Sequence, residues 1–471
     1  MGRRAAWGWR LLRDVGLPLL LTRLALLLVT QTAQHWPQSV RALILPDSVG
    51  FHSQAPRVGN LELSGWYEWD AAWYLRIAAN GPQMGYSHYV TSDVHHFSAF
   101  AFFPLYPLTV RAAATLTPGA LDPIPAAPNG GAPRPSLLVV ALVVSNVIFA
   151  LALAALYLLA LARAGPAARR AVWLLCLFPT SVFFSAPYSE GMFLLWLVLF
   201  FLMLQRQRWW LAGLCGALAA ATRSLGVALV LPYLAAYAQQ VIFAPRPLPL
   251  SLKGRGERDV ISRSPASGDV VSPSPASGRG ALDRRPQPRG QLAMGWGVRA
   301  LLPAALIPCG LLAYMAYLGL AWHDPLIFRK AEDAWSRSFA LPWVGIVEGI
   351  HWSLWHWAHF HKLSQPNWRG LTDALYALVF LALTALAWRD FDWSERAYAV
   401  VFWIYVLCTP NVHTLPYYND TLISMARFLL VLVPLWLWLG RSRWRTLPVA
   451  LPSALFFLVY AGRWVLGGWI G

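Results

Sequence analysis

The sequence predicts an all-α protein, a polytopic bundle of transmembrane helices, and three observations predict it. Of its 471 residues, 57% are hydrophobic and 13% are charged, against about 25% charged in soluble domains. Mean hydropathy is +0.47. Apolar runs recur along most of the chain, and at about 20 residues per crossing they allow around ten spans. Backbone polar groups go unpaired in hydrocarbon unless the segment is helical or part of a closed barrel, so such runs read as helices. A cytosolic enzyme and a single-span anchor are both excluded.

The net charge of +17 is spread over loops, and of 38 basic residues only Lys253, Lys330 and Lys362 are lysines. This pattern carries orientation information and does not point to nucleic acid. The Arg-, Ala-, Leu- and Trp-rich bias is that of a GC-rich bacterial genome. Cys176, Cys215, Cys309 and Cys408 all lie in apolar stretches without metal-type spacing, which argues against a disulfide framework. The first apolar run is too long for a cleavable leader and reads as a span.

Taken in order, Arg3, Arg4, Arg10 and Arg13 precede an apolar run over 15–33 and place the N-terminus in the cytoplasm. The loop that follows, 34–97, is therefore outside. Its length marks it as functional, and its WYEWDAAWYLRIA stretch suits interfacial helices. Further spans are expected near 137–161, 171–185, 192–204, 210–239, 297–321, 371–388, 397–409, 423–439 and 447–466. The basic connections at 163–170, 205–208 and 441–445 all fall in the cytoplasm on two conditions. Segment 98–117 must return outside or dip without crossing. The stretch around Ala221-Thr222-Arg223-Ser224 must be a broken hairpin, because a buried arginine beside a helix break is tolerated where it lines a polar cavity.

This assignment puts all eleven histidines, with Asp70, Glu190 and Asp324, in outer segments. Residues 244–292 are rich in Pro, Ser, Gly and Arg and repeat SPASG at 264–268 and 274–278. They read as a disordered cytoplasmic linker between an N-terminal membrane half, 1–243, and a C-terminal half, 293–471.

Several residues could carry chemistry. Glu68 and Asp70 lie between Trp66, Trp69 and Trp73. A carboxylate among aromatics at a membrane surface suits a general base, while the plainer account is two solvated loop acids. Glu190 in Ser185-Ala186-Pro187-Tyr188-Ser189-Glu190 either helps cap the next helix or faces a polar cavity. In Trp322-His323-Asp324-Pro325, Asp324 either starts a helix or joins a site. Arg329, Lys330 and Arg337 follow on the outer side, where an anionic ligand explains them better than orientation does. Arg427, in Ser424-Met425-Ala426-Arg427-Phe428, either snorkels to headgroups or clamps a phosphate. His356, His359 and His361 have loosely metal-like spacing inside a Trp-rich, interfacial stretch.

These segments together resemble the phosphatidylinositol glycan class V family, the second mannosyltransferases of GPI-anchor assembly, with their bacterial relatives, membrane glycosyltransferases of the GT-C class. The residues that carry the resemblance are Trp69-Asp70-Ala71 with Tyr74 and Ile77-Ala78, and Ala101-Phe102-Phe103-Pro104-Leu105-Tyr106-Pro107. They continue with Ala186-Pro187-Tyr188-Ser189-Glu190, Thr222-Arg223-Ser224-Leu225-Gly226, Asp324-Pro325-Leu326 and Ser424-Met425-Ala426-Arg427-Phe428. The resemblance implies a GT-C fold, a polyprenyl-phosphate mannose donor and an active site on the outer side. It gives Asp70 as catalytic base, with Glu190 and Arg427 near the site.

The expected function is inverting transfer of a hexose, mannose, to a lipid or glycan acceptor at the extracytoplasmic face of a bacterial plasma membrane. Asp70 activates the acceptor hydroxyl, and Arg427, with Arg223 or Arg329, holds the departing phosphate. Glu68, Glu190, His323 and Asp324 complete the expected substrate-binding set. A lipid monophosphate carries less charge than a nucleotide pyrophosphate, so neither a metal nor another cofactor is expected. The rivals are a transporter or flippase of lipid-linked sugars and a lipid-linked glycan ligase.

Overall fold

The computed structural model describes residues 3–44, 63–81, 99–124, 133–243, 298–332, 337–360, 368–411, 421–468 and 470. Among them every named element is helical, and extended pairing is confined to the bridge between Arg337 and Asn411. Helices α1 (Arg3–Leu11) and α2 (Leu17–Thr32) are joined by a π segment, Leu12–Gly16. Its buried Asp14 accepts from the neighbouring Arg13 and, at 2.8 Å, from the Tyr157 hydroxyl. Leu20, Leu24 and Leu28 line an exposed stripe of α2, while Leu26 and Val29 are buried. The helix thus presents one apolar face to lipid and one to the bundle.

Helix α3 (Gln38–Ile44) opens the long loop expected outside, and α4 (Asp70–Asn80) forms within it. Ala71 and Trp73 through Ala79 are buried, so α4 is packed in protein along most of its length. Helix α5 (Leu105–Ala114) has 10 residues, which rise about 15 Å against about 30 Å of hydrocarbon. It is too short to cross by itself. Arg111 on α5 donates to the carbonyls of Ala78 and Ala79 at 2.8 and 2.9 Å and satisfies the end of α4.

Helix α6 (Pro135–Ala164) ends at Gly165, whose φ of +54° turns the chain into α7 (Ala168–Leu177). The span expected over 171–185 stops at Leu177, and a 3-10 turn at Ser181–Phe184 precedes α8 (Glu190–Gln205). Arg23, inside the first apolar run, fills this break. Its guanidinium donates to the carbonyl of Ser181 (3.1 Å) and the hydroxyls of Ser181 (3.1 Å) and Ser185 (2.8 Å), and lies 5.1 Å from the centre of the Phe149 ring. Carbonyls freed at a helix break thereby gain a donor, as an apolar environment demands.

Helix α9 (Trp209–Ala220) leads to the break at Ala221–Arg223, a 3-10 turn (Ser224–Leu229) and α10 (Val230–Tyr237). The Trp209 ring lies 5.5 Å from Tyr233 and 6.2 Å from Tyr237, so both ends return to one side and the expected hairpin is present. Gly226 makes it possible, because a Cβ there would sit 2.3 Å from the Ala219 carbonyl carbon. The expected linker, 244–292, lies outside the described residues.

The second half contains α11 (Cys309–Trp322), α12 (Ile327–Glu332), α13 (Val344–Phe360), α14 (Trp368–Ala387), α15 (Trp393–Leu407), α16 (Met425–Leu429), α17 (Val433–Gly440) and α18 (Arg443–Val465). The run expected as one span over 423–439 is divided. Ser424 takes a φ of +76°, α16 has five residues, and Pro434 stands in the first turn of α17. Four stretches are long and apolar enough to cross a bilayer, Pro135–Leu177, Leu302–Trp322, Arg369–Asp390 and Arg443–Val465, and α8 and α9 are shorter apolar helices. The chain is an integral membrane protein with several broken helices.

A cavity of about 290 Å³ lies at the C-terminal end of α8, between Arg163, Gln205, Asp390, Asp392, Glu395 and Arg441. Its charges are used structurally: Arg163 pairs with Glu395 and Asp392, and these two acids form the capping box that starts α15. Replacing Gly226 with alanine should force the α9–α10 hairpin apart and destabilise the protein by about 1–3 kcal/mol, the cost of overpacking. The thermal midpoint in detergent checks this, and an unchanged midpoint contradicts the close approach.

Candidate active site

Four of the residues singled out from sequence converge at the N-terminal end of α8. Asp70 follows Trp69, whose φ of +58° is rare for a bulky residue. That turn is held by Tyr188, whose hydroxyl accepts from the Asp70 amide (3.1 Å) and donates to the Glu68 carbonyl (3.2 Å). Asp70 is thus fixed as the first residue of α4, where the helix dipole favours a negative charge.

Ser189 precedes α8, but its side chain makes no capping bond and instead accepts from the Tyr74 hydroxyl at 2.7 Å. Glu190 is fully buried. Its Oε1 accepts from Arg427 Nε at 2.5 Å and from Arg223 Nη1. Glu190 thus takes part in a buried ion-pair network, and Ser189 makes no side-chain cap beside it. Its Oε2 is buried without a hydrogen-bond partner.

Arg427 also donates through Nη1 to Asp70 Oδ2 at 2.7 Å. Its guanidinium carbon lies 4.8 Å from the ring centres of both Phe183 and Tyr188. It is therefore held inside the protein and does not snorkel. Ser424 turns the chain into α16, and Thr180 donates to the Ala426 carbonyl at 2.9 Å, which fixes that helix beside the α7–α8 break. Arg223 sits in extended backbone at the break of the α9–α10 hairpin. The Asp70 and Arg223 side chains keep 20% and 25% of their surface open, against 1% for Glu190. The network can therefore be reached at Asp70 and Arg223 but not at Glu190.

The other expected residues are placed differently. Glu68 is buried and meets Tyr188 through its carbonyl. His323 ends α11 in a left-handed conformation. Asp324 accepts from the Leu326 amide (3.0 Å) and from Lys330 (2.6 Å), so it starts α12, and Lys330 holds its carboxyl below the usual range. Arg329 is exposed on α12. The bonds of Asp324 run to its own turn and not to the Asp70 network. His323, Asp324 and Arg329 border a second aromatic cluster in which Phe103 meets Tyr314 and Phe328, Phe100 meets Trp322, and the Tyr314 hydroxyl donates to the Phe100 carbonyl.

Of the histidine triplet, His361 lies outside the described residues, and His359 bonds back to the Trp355 carbonyl at 2.8 Å. Among the described residues no three His, Cys, Asp or Glu side chains gather as a metal-holding group. Sequence reasoning passed over Arg23 and the clamp made by Tyr188. An arginine inside the first apolar run was the signal available for the former.

Residues 17–245 match the model of the family described as Mannosyltransferase (PIG-V). GPI alpha-1,6-mannosyltransferase 2 of Rattus norvegicus is 32% identical over 205 residues, covering 41% of this chain and 38% of the rat protein. The Mus musculus protein of the same name is 34% identical over 168 residues, covering 35% and 30%. The match thus spans well under half the length of these curated relatives. Among solved structures, Archaeoglobus fulgidus oligosaccharyltransferase tethered with an acceptor peptide aligns over 95% of this chain and 56% of its own, at 13% identity and a TM-score of 0.40. The same enzyme with an inhibitory peptide and dolichol-phosphate aligns over the same shares at 12% and 0.37. The family resemblance carried by the motifs is shown over 17–245, which contains Asp70, Glu190 and Arg223 but not Arg427.

Because Glu190 faces two guanidinium groups in a dry site, Glu190→Gln should destabilise the protein by about 3–5 kcal/mol, the usual cost of stranding a buried charge. The double variant with Arg223→Gln should lose less than the sum of the two single changes. Thermal unfolding of the four proteins measures this coupling, and additive losses contradict the pairing.

Proposed function

We propose that this chain is an inverting glycosyltransferase on a GT-C-like helical frame. It moves a hexose, mannose, from a polyprenyl-phosphate carrier to a lipid or glycan acceptor on the extracytoplasmic face of a bacterial plasma membrane. The observation that carries this reading is one partly open carboxylate, Asp70, bound to a buried guanidinium, Arg427, that Glu190 also holds. The match of residues 17–245 to a mannosyltransferase family supports the sugar and the reaction class.

In the proposed step the acceptor hydroxyl gives its proton to Asp70 as its oxygen bonds to the anomeric carbon. The bond from that carbon to the phosphate oxygen breaks, and its electron pair leaves with polyprenyl phosphate. A single displacement inverts the anomeric centre. The phosphate passes from one negative charge to two while Asp70 passes from one to none. Arg427 therefore loses its partner charge as the leaving group gains one, and the guanidinium transfers from carboxyl to phosphate without a change in the net charge of the site. Stabilising charge where it develops, in a site shielded from water, is the largest lever available to such an enzyme.

Orientation supports the outer face. Helix α8 has 16 residues and is about 24 Å long, with Glu190 at one end and Gln205, Arg206 and Arg208 at or beyond the other. The basic end belongs in the cytoplasm, which leaves Asp70 and Glu190 outside. The halves 1–243 and 293–471 act together in this reading, since Arg427 comes from the second and its partners from the first. Glu68 serves by fixing the Asp70 turn, and the turn of His323 and Asp324 with Arg329 borders the substrate approach.

Membranes holding the intact protein or Asp70→Asn, given radiolabelled polyprenyl-phosphate mannose and a native lipid extract, test the reading. Loss of a general base should slow transfer by about 10²–10⁴-fold. Equal transfer by both proteins removes Asp70 as the base. Movement of intact lipid-linked sugar without transfer turns the reading to a transporter.

A further inference from the structure

The four-membered network is electrically balanced. Asp70 and Glu190 face Arg223 and Arg427, and each of the two arginines bonds to at least one of the acids. Two guanidinium groups already engaged in this way are not surplus charge for a ligand. A third arginine stands beside them. Arg337 is half-buried and lies 5.1 Å from the centre of the Phe428 ring, while Arg223 lies 6.0 Å from the same ring. Arg337 feels the repulsion of both Arg223 and Arg427. Glu332 acts on it through space, yet Arg337 forms no ion pair among the described residues. Its backbone is fixed by the antiparallel bridge to Asn411 and by the Ser338 amide donating to the Pro410 carbonyl at 3.3 Å.

Asn411 supplies a second observation. Residues directly opposite in an antiparallel bridge send their side chains to the same face. Asn411 is 92% buried, and its Oδ1 has no hydrogen-bond partner. Buried polar atoms in native proteins are almost always paired, and an exception calls for an explanation.

We propose that Arg337 is the residue that receives the donor's phosphate, while Asn411 Oδ1, an acceptor on the same face, is placed to take a hydrogen bond from a sugar hydroxyl of the donor. This rests on the lipid-phosphate reading above. A guanidinium with no ion-pair partner among the described residues suits the single negative charge of the donor's phosphodiester better than the larger charge of a lipid pyrophosphate. Arg337 binds the ground-state phosphate, and Arg427 takes up the second charge only as the phosphate leaves.

The test uses the full-length protein in nanodiscs and compares Arg337→Gln and Arg337→Lys with the unaltered chain. Binding of undecaprenyl phosphate, undecaprenyl pyrophosphate and undecaprenol is measured directly, and transfer kinetics with undecaprenyl-phosphate mannose are measured alongside. Arg337→Gln should weaken undecaprenyl phosphate by about tenfold to a hundredfold, the worth of a hydrogen bond to a charged group. It should raise donor KM by a like factor, leave kcat within about threefold and leave undecaprenol binding unchanged. Arg337→Lys should recover part of the loss, since a lysine keeps the charge without the planar fork. Unchanged undecaprenyl phosphate binding in Arg337→Gln overturns the proposal, as does an equal loss of undecaprenol. If the intact protein binds undecaprenyl phosphate through Arg337 but transfers no mannose, the phosphate site stands and the transferase reading falls.

Discussion

A guanidinium cannot sit inside a membrane protein without acids to meet it, and Arg427 sets the terms for the architecture around it. Its side chain is 7% exposed and bonds to Asp70 and Glu190, which approach from two different helix starts. Taking such charges out of water costs several kcal/mol per ion unless the geometry and the remaining hydrogen bonds are good. Both acids stand at the first residue of a helix, where the dipole favours them. The two ring faces of Phe183 and Tyr188 cover the cation.

Meeting that demand requires helices that stop part-way through the molecule. The α7–α8 break, the α9–α10 hairpin and the turn at Ser424 each bring one end of a helix to the network. Each break frees backbone groups that then need partners. Arg23 supplies several at the first, Thr180 ties the third, and the Leu105 amide donates to the Ala221 carbonyl at 3.2 Å at the second. The positive φ values at Trp69 and Ser424 fall directly beside Asp70 and near Arg427. Backbone strain of this kind persists where surrounding structure enforces it.

How much of this was legible varies with the range of the interaction. Long apolar runs revealed α6, α14 and α18, because a span is a local property of about 20 residues. The hairpin at 221–224 was legible because Arg223 interrupts an apolar run that is too long for one crossing. The breaks inside 171–185 and 423–439 were passed over, although Pro179 and Pro434 were local signals for them. Asp70 and Arg427 were each visible as unusual residues, but their contact joins positions 357 apart. Spacing arguments reach one helix turn or one hairpin, and a pairing of that separation is set by the fold. Asp324 shows the converse: its motif was visible, and its partners are the local ones, Leu326 and Lys330.

The central claim is that the ionic network at the N-terminal end of α8 is where a lipid phosphate is bound and charge is exchanged. The cavity at the opposite end, between Arg163 and Arg441, offers the contrasting location. A cryo-EM structure of the protein in nanodiscs with undecaprenyl phosphate tests the claim most directly. The account predicts the phosphate within hydrogen-bond reach of Arg337 and Arg427, with Arg427 still bonded to Glu190. A phosphate seated against Arg163 or Arg441, with the Asp70 network untouched, would contradict it.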